Sequence, residues 1–218
     1  LKMIRRANSI GHHYFIANLT SKDIASSVAL AVNEKHGIWY NPMTGEYHEA
    51  AIGDKGIQLN LKSGESRILI TSNKPVDEWQ LGSKVKVGGK EAIAAADSKT
   101  IDLTANTWKL SFIEDAPKVG ETFNLKGVKS WEGLSDKAKV MMGTGVYETT
   151  IKLSKDDAKK QWAIDLGDVR ESARVYINGE YVGCAWAVPY ILNCQDKLVK
   201  GKNTLRIEVT NLPANRIA

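Results

Sequence analysis

The sequence has no long apolar run. A membrane-spanning helix needs about 20 consecutive apolar residues, and no segment of the 218 residues approaches that length, so no membrane partner is predicted. The chain begins LKMIRRANS, without an initiator Met and without the apolar core of a signal peptide. It ends in VTNLPANRIA. We therefore expect a fragment of a longer protein. In a fragment, the absence of a targeting signal does not exclude any cellular compartment.

Cysteine is scarce, with only Cys184 and Cys194 in the chain. Their spacing fits no zinc-binding pattern, and the sequence predicts no metal site. A disulfide between them stays open for an oxidising compartment, while two buried thiols on separate strands are the favoured interpretation. A histidine close in sequence would suggest a catalytic thiol, and neither cysteine has one. The histidines all lie far upstream, at His12, His13, His36 and His48.

Positive charge is in excess, but it is not concentrated. The net charge is +5, from 30 Lys and Arg against 25 Asp and Glu. A basic protein can bind nucleic acid through its phosphates. Here the lysines are scattered, and the aromatic residues do not alternate with basic ones as a stacking groove would require. The charge is typical of a solvated surface, and no nucleic-acid partner is predicted.

Short segments that alternate apolar and polar residues fill the chain instead, which is typical of β-strands. The segment GIQLNLKSGESRILIT predicts a hairpin. Its first strand alternates over Ile57–Leu61, the chain turns at Ser63–Gly64, and Ile68 and Ile70 return on the second strand. About six such strands predict a small β-sandwich for residues 1–73.

A change of composition follows this first region. Pro75, the pair Gly88–Gly89 and the run AIAAADS predict a connecting segment over residues 74–99. Alternating strands resume near residue 100 and continue to residue 218, in a second antiparallel sandwich that is richer in Trp. The predicted fold class is therefore all-β, with two antiparallel β-sandwiches.

The stretch SARVYINGEYVGCAW predicts a second hairpin. Asn-Gly is a strong signal for a type I′ turn, because both turn positions need a positive φ. A two-residue loop at Asn178–Gly179 would place Tyr176 opposite Tyr181, and Val175 opposite Val182. Trp186 would then follow the second strand at the end of the sandwich, where loops on a rigid scaffold commonly bind ligands.

The second half of the chain combines several separate sequence features. They are Tyr147, Leu166–Gly167, the hairpin A-x-V-x-I-N-G, Gly183, Pro189, and the closing L-x-x-G-x-N-x-L-x-I-x-V over Leu198–Val209. As a set they resemble the sugar-binding jelly-roll domain of family 2 glycoside hydrolases, which has the galactose-binding-domain-like fold. Together with the segment GIWYNPMTGEY, the ending VTNLPANRI resembles the C-terminal region of large α-L-rhamnosidases of glycoside hydrolase family 106, proteins often labelled β-galactosidases.

The resemblance implies a division of labour. Glycosidases usually use two carboxylates across the scissile bond, and in families of this type that pair lies on a separate barrel domain. The sequence lacks the alternation of strands and long helices that a barrel requires. We therefore expect no catalytic residue in this fragment, a catalytic domain of the same parent chain as its partner, and a periplasmic or extracellular location.

Carbohydrate is the other expected partner. Sugars present apolar C–H faces and a rim of hydroxyls, so they are bound by aromatic rings together with paired donors and acceptors. For Trp186, packing beneath a loop or against a neighbouring domain is the alternative interpretation. The candidate sugar-contacting residues are Trp186, Tyr190, Trp131, Glu132, Asn211 and Arg216.

No cofactor is predicted, although sandwiches of the galactose-binding type often hold a structural calcium ion. Calcium prefers six to eight oxygen ligands, supplied largely by acids and carbonyls of one loop. No Asp-rich loop stands out, and Asp156 and Asp157 are adjacent rather than spaced.

Three functional hypotheses remain open from the sequence. The first is a non-catalytic accessory region of a larger glycoside hydrolase that acts on plant or host glycans. The second is a free-standing carbohydrate-binding module, which would bind sugar without the rest of the chain. The third is a cell-surface adhesion sandwich with a protein partner and an exposed apolar patch.

Overall fold

The computed structural model describes residues 1–42, 45–75, 79, 99–194 and 196–213. By its internal contacts the chain divides into two compact units, Leu1–Ser98 and Lys99–Ala218. Both units consist mainly of antiparallel strands, which confirms the predicted all-β class. Most of the predicted connecting segment 74–99 lies outside the described residues. Among the residues described, no helix has the length and apolar character to cross a bilayer.

The first unit forms two sheets around one core. Its described strands are β1 (Lys2–Ala7), β2 (Gly11–Ala17), β3 (Ile24–Val28), β4 (His36–Asn41), β5 (Glu46–Ala50), β6 (Ile52–Gly53), β7 (Gly56–Leu61) and β8 (Ser66–Ser72). One sheet has the order β1-β2-β8-β4-β5, and the other has the order β3-β7-β6. The core lies between them and includes Tyr14, Ile16 and Leu69 of the larger sheet and Leu59 of the smaller one.

The predicted hairpin of β7 and β8 is wrong, because the two strands belong to different sheets. The corner between them is bonded to Asn18, a fully buried residue more than forty positions earlier. Its Nδ2 donates to the carbonyl of Lys62 at 3.0 Å. Its main-chain carbonyl accepts from Gly64 N at 2.9 Å, and its main-chain N–H donates to the carbonyl of Glu65 at 2.8 Å. These bonds carry the chain from one layer to the other instead of folding it back on itself.

The burial within each of these strands follows the sequence more closely. On β7, Ile57, Leu59 and Leu61 all face the core, and the intervening residues are exposed, as the alternation predicts. On β8, Leu69 is the residue that enters the core, while Ile68 and Ile70 lie on the opposite face of the sheet and are half-buried.

The second unit is built on one large sheet. Its described elements are β9 (Thr107–Ala116), β10 (Phe123–Lys126), a 3-10 turn (Trp131–Gly133), α1 (Asp136–Lys139), β11 (Met142–Leu153), a 3-10 turn (Asp157–Lys159), β12 (Ala163–Asp165), β13 (Ser172–Ile177), β14 (Glu180–Ala185), β15 (Ile191–Asn193) and β16 (Gly201–Thr210). The large sheet has the order β10-β9-β11-β16-β13-β14, and β12 pairs with β15 in a small sheet. The core includes Trp108, Leu110, Tyr147 and Val175 from the large sheet.

The hairpin of β13 and β14 turns where the sequence predicts. Asn178 and Gly179 have φ values of 53° and 84°, as a type I′ turn requires. Tyr176 lies opposite Tyr181, with 5.5 Å between the ring centroids, which confirms that predicted pair.

Beyond this pair the predicted register is wrong. A β-bulge shifts the pairing, so Val175 lies opposite Gly183 and not opposite Val182. A Cβ at Gly183 would lie 3.2 Å from the Cδ2 of Leu192. The bulge therefore places the residue without a side chain beneath a leucine of β15.

Candidate functional site

Several chain segments meet at one end of the six-stranded sheet. Thr210 of β16 lies opposite both Thr144 of β11 and Ser172 of β13. Since these pairs are antiparallel, β16 ends where β11 and β13 begin, and β14 ends there too. The described segments that adjoin this end are 117–122, 166–171, 186–190, 211–213 and the last residues of 127–141, which starts at the opposite end of the sheet after β10. Of the predicted sugar-contacting residues, Trp186, Tyr190 and Asn211 lie directly at this end, and Trp131 and Glu132 lie within the segment 127–141.

Trp186 is the most exposed aromatic side chain of this end. It follows β14 directly and is 58% exposed. The segment after it is held by main-chain hydrogen bonds, because Leu166 N donates to the carbonyl of Tyr190 at 2.9 Å and Ile191 N donates to the carbonyl of Pro189 at 2.8 Å. An exposed indole on a well-bonded segment is suited to stacking on an apolar face of a ligand.

Charged groups surround Tyr190. Arg170 and Asp168 form a two-pronged ion pair, with Nε to Oδ1 at 3.0 Å and Nη2 to Oδ2 at 2.9 Å. This pair lowers the pKa of Asp168 and raises that of Arg170. The pKa of the Tyr190 hydroxyl is raised, first by burial and then by the negative charges of Asp168 and Glu171. We refer to Trp186, Tyr190, Asp168, Arg170 and Glu171 as the rim.

Sequence reasoning missed three members of the rim, Asp168, Arg170 and Glu171. They stand just before β13, and Glu171 N donates to the carbonyl of Thr210 at 2.8 Å. The only signal in the sequence is a cluster of charged residues directly before an alternating strand, which is also typical of an ordinary solvated loop.

Asn211 lies at the same end but has a different role. Its Oδ1 accepts from Gly143 N at 2.9 Å, and its Nδ2 donates to the carbonyl of Met141 at 2.9 Å. Asn211 N also donates to the carbonyl of Gly143 at 3.1 Å. The side chain thus ties the end of β16 to the start of β11, with both ends of its amide bonded to backbone.

Trp131 is a core residue in the structure. It is 6% exposed, its ring centroid lies 5.9 Å from that of Phe112 and 6.2 Å from that of Tyr147, and it packs directly on the backbone of Gly145. A sugar has no open face of this ring to stack on. Glu132 on the same turn is exposed, and the predicted residue Arg216 lies outside the described residues.

The Asp156–Asp157 pair does not fit a calcium site. Asp157 Oδ2 accepts from Lys99 Nζ at 2.7 Å and from Ser154 Oγ at 2.8 Å, and Oδ1 accepts from Lys160 Nζ at 3.1 Å. These bonds, that of Lys99 first, lower the pKa of Asp157. Two lysines therefore occupy the position a cation would take. The described residues contain no cluster of three or more His, Cys, Asp or Glu able to hold a metal ion.

Both cysteines are free thiols. Cys184 is half-buried on β14, and Cys194 is buried directly after β15. Burial raises the pKa of Cys194 to about 11. Because the thiolate is the reactive form, Cys194 is suited to packing and not to nucleophilic chemistry.

Comparisons with known proteins point to glycoside hydrolases. No protein-family model matches the chain. A curated protein of Formosa agariphila, described as "Putative beta-glucuronidase", is 30% identical over 174 residues, which are 75% of this chain and 15% of that protein. A rhamnosidase from Novosphingobium sp. PP1Y matches with a TM-score of 0.67 and 23% identity over 99% of this chain and 20% of the rhamnosidase chain. A β-glucuronidase from Ruminococcus gnavus covers 49% of this chain, with a TM-score of 0.43 and 17% identity.

The chain is thus related to carbohydrate-active proteins of the glycoside hydrolase type, and the predicted resemblance is confirmed. The rhamnosidase match shows that nearly all of this chain has the fold of one region of that enzyme. The chain spans only 15% of the length of the curated relative and 20% of the rhamnosidase chain.

Proposed function

We propose that this chain is a non-catalytic, sugar-contacting accessory region of a larger glycoside hydrolase that acts on plant or host glycans. The observation that carries the proposal is the similarity to a small part of a much longer protein, 30% identical over 75% of this chain and 15% of the other. A catalytic domain would then lie in the same parent chain and would be the partner of this region. A periplasmic or extracellular location belongs to the same proposal.

The carboxyl group of Asp168 at the rim is suited to hydrogen bonding and not to acid catalysis. A glycosidase acid must keep its proton near neutral pH, which requires a raised pKa. The ion pair with Arg170 instead lowers the pKa of Asp168 and holds it as an anion.

The rim offers the two kinds of contact that sugars need. The exposed ring of Trp186 would stack on the C–H face of a pyranose. The Asp168–Arg170 pair presents exposed acceptors and donors, which suit neighbouring hydroxyl groups. Tyr190 joins these groups on a segment that is bonded to Leu166.

Titration calorimetry of the 218-residue chain against a panel of mono- and disaccharides tests the proposal. We expect weak binding of at least one sugar, its loss in Trp186→Ala, and no hydrolysis of aryl glycosides. Val199→Ala is the matched control, since Val199 is an apolar side chain with 52% exposure outside the rim. Cleavage of an aryl glycoside by the purified chain, abolished by replacing one of its acids, would refute the proposal.

A further inference from the structure

A row of six side chains crosses the outer face of the six-stranded sheet, the face turned away from the core of the second unit. Each strand contributes one residue, and each residue is the register partner of the next. Adjacent strands are about 4.8 Å apart, so the row is about 24 Å long. We refer to it as the face row. In strand order it consists of Asn124, Lys109, Glu148, Arg206, Tyr176 and Tyr181.

Four members of the face row, Asn124, Lys109, Glu148 and Arg206, line a groove of about 540 Å³. This volume is within the range of roughly 300–1,000 Å³ that is typical of ligand sites in proteins. Its lining includes threonines from three strands, namely Thr107, Thr150 and Thr204. Beyond Arg206 the row continues with the aromatic pair of β13 and β14, in which Tyr181 is 54% exposed.

An ion-pair network orders the centre of the groove. Glu148 lies 3.7 Å from Lys109 Nζ and 3.9 Å from Arg206 Nη1. Arg206 is fixed in turn by Glu208, whose Oε1 accepts from Nε at 3.0 Å and from Nη2 at 2.7 Å. Glu208 is 8% exposed, so the guanidinium is anchored to a buried carboxylate on the same face. Such anchoring reduces the ordering cost when a ligand binds.

The same face carries an excess of positive charge. Residues that are paired across strands, or separated by two positions along one strand, lie on the same face of a sheet. Two carboxylates, those of Glu148 and Glu208, share this face with six cationic side chains. The cationic residues are Lys109, Lys126, Lys152, Arg174, Lys202 and Arg206.

We propose that this groove is a second carbohydrate-binding site, distinct from the rim, that binds an extended acidic oligosaccharide such as a uronate chain. The cations pair with the carboxylates of the ligand, the threonines and Asn124 contact its hydroxyls, and Tyr181 stacks on a ring at one end. A phosphodiester chain fits less well, because it offers fewer hydroxyl groups to the Glu148 carboxylate and the threonines than a uronate chain, in which each ring carries hydroxyls beside its one carboxylate.

The test uses the 218-residue chain and hexagalacturonate, with calorimetry for affinity and backbone amide shifts for location. We expect binding with amide shifts on β9, β11 and β16. Each of Lys109→Ala and Tyr181→Ala should weaken it by about threefold to tenfold, since a side-chain contact of this kind is worth roughly 0.5–1.5 kcal/mol and 1.4 kcal/mol is tenfold. Both side chains are more than half exposed, so neither variant is expected to unfold the chain.

Two control variants isolate the groove. Lys55→Ala removes an equal charge from an exposed position of the first unit, and Trp186→Ala alters only the rim. Neither should change hexagalacturonate binding, so a failure of the groove is distinguishable from a failure of the rim. The proposal is overturned if hexagalacturonate does not bind, if Lys109→Ala and Tyr181→Ala bind it as the parent chain does, if neutral cellohexaose binds equally well, or if a short single-stranded RNA displaces it.

Discussion

Replacing Gly145 by alanine is expected to destabilise the second unit, because the buried ring of Trp131 rests on this glycine. A Cβ built at position 145 would lie 2.5 Å from Cζ3 and 2.8 Å from Cε3 of Trp131. Both distances are below any ordinary carbon–carbon contact of about 3.5 Å, and the ring is also enclosed by Phe112 and Tyr147. The ring or β11 must move, and overpacking of this kind costs about 1–3 kcal/mol.

Urea denaturation followed by tryptophan fluorescence and near-ultraviolet circular dichroism measures this cost. Gly133→Ala is the matched control, because Gly133 lies on the same turn as Trp131 and a Cβ there would meet no atom within 4 Å. In a Trp131→Leu background the clash is removed, so the Gly145→Ala penalty should shrink by at least half. If the free energy of unfolding of Gly145→Ala lies within about 0.5 kcal/mol of that of the parent chain, the ring of Trp131 moves freely, and its assignment to the core is refuted.

Three further predictions concern stability and reactivity. Asn211→Ala leaves two backbone groups at the start of β11 without their side-chain partner, and the free energy of unfolding should fall by about 1–3 kcal/mol; a change below 0.5 kcal/mol would contradict this. The pKa of Asp157 is lowered in the folded state, so Asp157 contributes fully to the free energy of unfolding above its unfolded pKa of about 3.9, and this contribution is lost as the pH falls below that value. In an acid denaturation experiment the stability of Asp157→Asn should therefore fall less steeply with decreasing pH than that of the parent chain. Because the pKa of Cys194 is raised to about 11, iodoacetamide at pH 8 should not label Cys194 until urea unfolds the chain. Mass spectrometry of a Cys184→Ser variant measures this, and labelling of the folded variant would contradict the prediction.

The strands of this fold can be predicted from the sequence better than the pairing between them. Alternation over Ile57–Leu61 identifies a strand and its buried face correctly, because side-chain direction in a strand depends only on position. The pairing of β7 depends on Asn18, which bonds the corner after it from more than forty residues away. A turn signal such as Ser63–Gly64 carries no information about such a distant hydrogen-bond partner, so a change of sheet looks like a hairpin.

In the candidate site, too, some residues could be placed from the sequence and others could not. Trp186 could be placed at the end of the sheet because the Asn178–Gly179 turn fixes the position of β14. Trp131 was expected in a loop, and its burial depends on Gly145, a residue fourteen positions later on a strand that the sequence gives no reason to place beneath it. Burial of a loop aromatic is therefore a tertiary property that local patterns do not reveal.

The face row could not be predicted from the sequence either. Its members are spread along the chain from Lys109 to Arg206, and no motif or spacing connects them. Only the register of all six strands aligns them, and of its five neighbouring pairs only Tyr176 with Tyr181 is fixed by a two-residue turn. A row assembled by register also has a specific weakness, because a one-residue slip of β16 against β11 would turn Arg206 into the core. The sheet must therefore hold this register for the groove to exist, so binding at the face row depends on the global fold and not on any single loop.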